Sequence, residues 1–299
     1  METEYIRRSI VDFIKNEVRD GKYRGALVGF SGGLDSTTTA FLTKEALREN
    51  RTLGLTLTFP EQREQDLADA SFVAQRLGIE QIIVDVSPLI IAHKEIVPDE
   101  ILRDTSSNHY LSLFERINTT VSLAHADARN YLVISSSNKT EFDTSFYNLG
   151  GNVSHIFPLG NLYKTEVRDL ARSIGVPARI LDKIPSDGFT TRKSDEEILG
   201  LSYEVLDRVC YFLEKEEDPK KVSELTGVDI EKISHIRNRM KDSKRKLRFP
   251  SCDVYISGRY ERFSECEEKY QNIQRGSDPR GADSVATGSR YRRAGFGGG

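Results

Sequence analysis

The chain has 299 residues, 37% of them hydrophobic and 30% charged, which is enough apolar material for one large globular domain or two small ones and excludes disorder throughout. No apolar run approaches the roughly 18 residues of a membrane-spanning helix, and Glu2, Glu4, Arg7 and Arg8 stand where a secretion signal needs an apolar stretch, so a cytoplasmic location is expected. The net charge of −3 gives no global reason to expect nucleic acid as a partner, and the three cysteines, Cys210, Cys252 and Cys266, are too few and too scattered for a disulfide framework or a four-ligand zinc site.

Ile6, Ile10, Phe13, Ile14 and Val18 recur at helical spacing, and Gly21 and Gly25 bracket a turn into the apolar run Ala26 to Phe30, which predicts a helix and then a buried strand. A helix over Thr37 to Leu47 and a second strand over Leu53 to Phe59, stopped by Pro60, come next. The unit repeats with a helix over Leu67 to Leu77, closed by Gly78, and a third strand over Ile82 to Val86; a fourth strand is expected at Tyr131 to Ile134. Strands that read as unbroken apolar runs, separated by helix-length segments, predict an α/β fold: a doubly wound parallel sheet with flanking helices on both faces. After Pro158 the pattern turns helical, over Lys164 to Ile174, Asp195 to Glu214, Val222 to Thr226 and Asp229 to Lys241. Apolar periodicity fades beyond about Arg259, so one domain over 1–258 and a flexible, largely disordered Gly- and Arg-rich tail over 259–299 are expected.

The first strand runs straight into Ser31-Gly32-Gly33-Leu34-Asp35-Ser36 and a helix, the arrangement in which backbone N–H groups and a helix N-terminus converge on phosphate. Two glycines let the chain approach the ligand closely, and Ser31 and Ser36 add hydroxyls. The loop is neither a Walker A sequence nor a dinucleotide-binding glycine fingerprint. Asp35 is the informative residue, because a carboxylate inside a phosphate loop repels its ligand unless a cation such as Mg²⁺ bridges the two; the plain alternative is an Asp that caps a helix.

This loop resembles the signature of the N-type ATP pyrophosphatases, which cleave ATP between the α and β phosphates and adenylate a substrate. Ser137-Asn138-Lys139-Thr140-Glu141, then Pro158 to Val167, Lys183-Ile184-Pro185-Ser186, Ser194-Asp195-Glu196, Leu199-Gly200, Tyr203 and Leu206-Asp207 follow in the order and spacing of the NAD synthetases, so that over roughly residues 5 to 250 the chain is similar to that family. The resemblance implies an adenine-nucleotide alpha-hydrolase-like fold and an ammonia-dependent amidation of deamido-NAD to NAD⁺ through an acyl-adenylate. It implies ATP and Mg²⁺ as cofactors, and a homodimer as the working assembly. It places Asp35, Lys164 and Ser186 in catalysis, and Asp35 with Glu141 on the metal. Phe30, Ser31, Gly32, Gly33, Leu34, Asp35, Ser36, Arg116, Ser136, Lys164, Ser186, Lys244 and Arg245 are its nucleotide- and substrate-contacting positions. A lysine and a hydroxyl aimed at the scissile phosphates would stabilise the charge that develops as pyrophosphate leaves. Each position has a plainer reading: a solvated Lys164 at the start of an amphipathic helix, a surface Glu141, a Ser186 that caps a turn.

The departures from the family pattern gather on the acceptor side. Gly151 and His155 stand where acidic residues are usual, Gly188 replaces an Asp, Arg192-Lys193 replace a Gly-Gln pair, and Asn118 stands for a second Arg beside Arg116. Fewer acids with added His155, Arg192 and Lys193 would make the acceptor pocket more electropositive. A paralogue that adenylates another carboxylate or a tRNA base, and a nucleotide-binding protein without catalysis, are therefore the alternatives. Arg237, Arg239, Lys241, Lys244, Arg245, Lys246 and Arg248 form a basic cluster, which the resemblance at Lys244-Arg245 implies makes phosphate or substrate contact in preference to nucleic-acid binding. The five histidines lack metal-ligand spacing. No cysteine is placed for a glutamine-hydrolysing site, so free ammonia is the expected nitrogen donor.

Overall fold

The computed structural model of the chain describes residues 2–97, 107–146, 148–151, 153–185, 194–215 and 218–246. These belong to one unit, Met1–Arg248; the tail and the boundary expected near residue 258 lie outside the described residues.

Helix α1 (Glu2–Asp20) lays Ile10, Val11, Ile14 and Val18 along one buried stripe. Strand β1 (Gly25–Gly29) leads through the glycine loop into α2 (Leu34–Leu47), followed by β2 (Thr52–Thr58), α3 (Glu64–Leu77) and β3 (Glu80–Asp85). Then come α4 (Ser87–Ile96), α5 (Asn108–Asp127), β4 (Tyr131–Ile134) and α6 (Lys139–Asp143). The strands form a parallel sheet in the order β3-β2-β1-β4, with Ala26 level with Thr52 on one side and Leu132 on the other. A central strand covered on both faces has no polar side, which is why β1 reads as a continuous apolar run.

Two cores follow from the alternation of side chains. Ala26, Val28, Phe30, Leu132 and Ile134 face α1, α2 and α3, whereas Leu27, Leu53, Leu55, Leu57 and Val133 face Ile90 of α4 and Tyr110, Leu113 and Ile117 of α5. On β2 the first face carries Thr52, Gly54 and Thr56; the Phe30 ring fills the space at Gly54, where a Cβ would stand 3.1 Å from its Cδ1. Edge strand β3 is half exposed, so Ile83 is open to solvent where a buried strand is expected. Beyond β4 the chain returns alongside it: Ser135 N–H donates to the Ile156 carbonyl (2.9 Å), and the Val133 N–H donates to Nδ1 of His155 (3.0 Å). That imidazole belongs to the sheet edge, edge-on to Tyr23, and does not line the cleft described below.

The remaining helices are α7 (Lys164–Ser173), α8 (Ala178–Leu181), α9 (Asp195–Leu199), α10 (Tyr203–Glu214), α11 (Pro219–Thr226) and α12 (Ile230–Lys246). Leu206, Val209, Cys210, Val222, Ile233 and Ile236 make a third core among the last four. The single helix expected from Asp195 to Glu214 is broken: Gly200 takes a left-handed φ of 72° and Ser202 starts α10. Across the break Glu196 accepts from Tyr203 N–H (2.9 Å), and the Tyr203 hydroxyl donates to Asp195 (2.9 Å).

Candidate active site

The glycine loop is held from both sides. Gly32 has φ +76°, and a Cβ there would stand 2.2 Å from the Asp66 carbonyl oxygen and 2.9 Å from the Ala70 nitrogen, so only glycine lets the loop rest on the first turns of α3. Within the loop Ser31 Oγ and Ser36 Oγ lie 3.0 Å apart, and the Gly33 N–H reaches Ser31 Oγ at 3.3 Å. Lys183, at the end of the α8 segment, donates to the Gly32 carbonyl (3.1 Å) while paired with Asp66 and Asp69. Helix α2 begins at Leu34, three residues earlier than its apolar pattern suggests, which places Asp35 in the first turn where the helix dipole favours negative charge.

Asp35 from α2, Glu141 from α6 and Lys164 from α7 meet beside this loop. Lys164 Nζ is ion-paired with Asp35 Oδ2, the two side chains being 5% and 15% exposed. The other oxygen, Asp35 Oδ1, is buried without a hydrogen-bond partner. Glu141 accepts from Asn138 Nδ2 (3.0 Å); burial first, and then the Asp35 charge, push its carboxyl well above the usual carboxylate range, with Lys164 opposing only in part. Burial pulls the Lys164 pKa down, but Asp35 and Glu141 outweigh it and raise it above the ordinary lysine value. Asp195 adds a third carboxylate acting on the same ammonium. One cation facing three acids leaves an excess of negative charge out of water, the imbalance that a divalent cation removes.

The donor set fits Mg²⁺: two hard carboxylates, one with an orphaned oxygen. Among the described residues no group of three or more His, Cys, Asp or Glu is arranged to hold a metal by itself, so substrate oxygens and water would complete the shell, as Mg²⁺ prefers.

A single buried carboxylate aligns the pieces. Asp207 of α10 accepts from Thr140 Oγ1 of α6 (2.6 Å) and from the N–H and hydroxyl of Thr165 at the start of α7 (2.9 and 2.8 Å); Thr140 Oγ1 in turn accepts from Lys164 N–H (2.9 Å). Helices α6 and α7, which carry Glu141 and Lys164, are thus tied through one group.

The cleft has a volume of about 910 Å³. It is lined by Phe30, Ser31, Gly33, Leu34, Asp35, Ser36, Ser136, Glu141 and Lys164 of the expected residues, and by Asn118. Gly32 lies behind the loop against α3. Arg116 is exposed and donates to the Leu149 carbonyl (3.1 Å), and Lys244 is exposed; neither lines the cleft. Ser186, Gly188, Arg192, Lys193 and the Arg245 side chain lie outside what the structure describes. At Gly151 a Cβ would stand 2.6 Å from Glu115 Oε2, so the Glu115 carboxylate on the cleft wall occupies the place of any larger residue. Sequence reasoning gave no individual role to Asp195, Lys183 or Asp207, and read Arg239 only as one of a basic cluster. The first three fall within or beside motifs quoted above, and only the fold shows what they touch.

The comparisons agree with this geometry. The description of the NAD synthase family matches residues 6–250. The NH(3)-dependent NAD(+) synthetase of Methanosarcina acetivorans is 34% identical over 84% of this chain and 98% of its own length. Among solved structures, an NH3-dependent NAD synthetase from Campylobacter jejuni is 25% identical with a TM-score of 0.70, over 85% of this chain and 100% of that one. The NMN synthetase of Francisella tularensis, 23% identical over the same shares with a TM-score of 0.73, is alike in fold. A loop built for phosphate, two carboxylates short of a cation and a chain matched along most of its length lead to one conclusion: the protein belongs to the NAD synthase family.

Proposed function

We propose that this chain is an ammonia-dependent NAD synthetase, a carbon–nitrogen ligase that converts deamido-NAD to NAD⁺. The observation that carries the reading is the meeting of Asp35, Glu141 and Lys164 beside the Ser31–Ser36 loop in a chain that matches the family over residues 6–250. A nicotinate carboxylate oxygen attacks the α phosphorus of ATP, and the bond to the β phosphate breaks with its electron pair leaving on pyrophosphate. Ammonia then attacks the acyl carbon, AMP departs with the carboxyl oxygen, and the nitrogen sheds its extra proton to give the amide.

The loop N–H groups and the α2 N-terminus bind the phosphates, and the Lys164 ammonium offsets the charge that grows on departing pyrophosphate. Mg²⁺ would be held by Asp35 and Glu141 and would neutralise phosphate oxygens. Asn138 orients Glu141, and the Thr140–Asp207–Thr165 set orients Lys164. Ser186 completes the phosphate side in this reading. Free ammonia is the donor: among the described residues the one free thiol, Cys210, is buried, and burial pushes its pKa up, the opposite of a nucleophile's environment. A homodimer and a cytoplasmic location belong to the same proposal. The exposed Leu89, Ile91 and Ile96 of α4 would be covered by a second copy, and among the described residues no helix is long and apolar enough to cross a membrane.

The test is to incubate the protein with Mg-ATP, ammonium and deamido-NAD while following NAD⁺, AMP and pyrophosphate. Equal amounts of the three products, absent with Asp35→Ala, are expected. AMP and pyrophosphate formed only with another carboxylate would reassign the acceptor, and no turnover with any acceptor would overturn the proposal.

A further inference from the structure

Among the described side chains of the basic cluster one, Arg239 on α12, lines the cleft, whereas Lys244, which the resemblance points to, does not. Arg237, Lys241 and Lys244 are exposed on the outer face, whereas Arg239 is half-buried and lines the cleft, anchored by its buried neighbours Ile236 and Met240. Its Nε–H donates to the Thr144 carbonyl (2.7 Å) at the end of α6, about one turn on from Glu141, and its guanidinium lies 5.3 Å above the Phe146 ring. Ser145, between them, takes a left-handed φ of 59°, a conformation that non-glycine residues adopt at a cost and that brings Phe146 under the guanidinium. Among the described residues no carboxylate oxygen comes within 4.0 Å of this guanidinium and its terminal nitrogens have no hydrogen-bond partner. Asp242 acts only from a distance, and burial draws the group below its ordinary pKa. A half-buried cation held in a fixed plane with two free amino groups is costly unless an anion arrives to pair with it.

We propose that Arg239, seated on Phe146, is a phosphate-binding subsite on the wall of the cleft, and that it grips a phosphate of one of the two substrates. This deepens the reading above, which puts ATP and a dinucleotide in the cleft. A planar fork suits two phosphate oxygens at once, whereas lysine offers a point charge.

The test is calorimetric binding of three probes, Mg-ATP, NAD⁺ and inorganic pyrophosphate, to the full chain and to Arg239→Gln and Arg239→Lys. Arg239→Gln is expected to weaken at least one probe about tenfold, with Arg239→Lys in between and the melting temperature within about 2 °C of the parent. A loss confined to Mg-ATP assigns the subsite to ATP, and a loss confined to NAD⁺ assigns it to the acceptor. Both support the subsite. Affinities for all three probes within about twofold of the parent would overturn it. So would an equal loss for all three that tracks a lowered melting temperature, because that is how a purely structural Arg239 behaves. The binding of pyrophosphate is read without turnover, so a failure of the amidation assay and a failure of this subsite are separate results.

Discussion

At the scale of single residues, the proposed chemistry rests on a charge imbalance. Glu141 is held against its preference beside Asp35, so Glu141→Gln is expected to raise the melting temperature of the metal-free protein by a few degrees while it removes Mg²⁺-dependent stabilisation and activity. Thermal melts with and without Mg²⁺ check this; an unchanged Mg²⁺ response would take Glu141 off the metal. Asp207→Asn keeps the shape but puts an amide where a threonine donor now points. It is expected to lower kcat about 10- to 100-fold with little change in the KM of the acceptor, because it tilts Lys164 and Glu141 and touches no substrate. A steady-state comparison of the two parameters decides it. Asp35 stood out in the sequence through the chemistry of its loop, whereas Glu141 and Lys164 were picked out only through the family resemblance, and the structure brings the three together. The role of Asp207 was not legible, since three hydrogen bonds linking separate helices leave no local pattern. Arg239 was legible only as one of seven basic residues, and helix phase decides which of them turns inward.

At the scale of elements, two glycines with left-handed backbones make opposite demands. Around Gly200 nothing stands within 4 Å of where a Cβ would go, so Gly200→Ala costs only its conformation, about 1 kcal/mol in a denaturation experiment. At Gly32 the same change drives a methyl group into the backbone of α3, and ATP affinity is expected to fall by more than about tenfold, read by calorimetry. The break at Gly200 escaped the periodicity because a glycine inside a helix costs only about 1 kcal/mol, and apolar residues continue on both sides of it. Helices α4 and α5 also went unread, although Ser107 caps α5 through a bond from the Tyr110 N–H (3.1 Å) and Tyr110, Leu113 and Ile117 follow at helical spacing. Strands β1, β2 and β4 were legible to within a residue from their apolar runs, whereas the half-exposed edge strand β3 begins two residues before its apolar run.

At the scale of the molecule, the sheet order β3-β2-β1-β4 puts the glycine loop of β1 and the serine-rich exit of β4 side by side, which is why one cleft serves both substrates in the proposed reaction. Apolar strand runs separated by helix-length segments predicted the fold class, but the order of strands depends on crossovers that no segment encodes alone. If the donor is free ammonia, replacing ammonium by glutamine at equal concentration is expected to leave NAD⁺ formation near background; equal rates would require a glutaminase site in the chain.

The imidazole beside β4 has a consequence for how copies of the protein meet. Sheets aggregate when an open edge recruits another strand, and here one edge is sealed: the chain runs beside β4, and a ring nitrogen of His155 takes the Val133 amide that an incoming strand would seek. The opposite edge, β3, is short and begins and ends on an acid, Glu80 and Asp85, which repel the same acids of a second copy laid antiparallel alongside. Self-association by shared sheet is thus closed on one flank and opposed on the other, so the proposed dimer would join through helical faces.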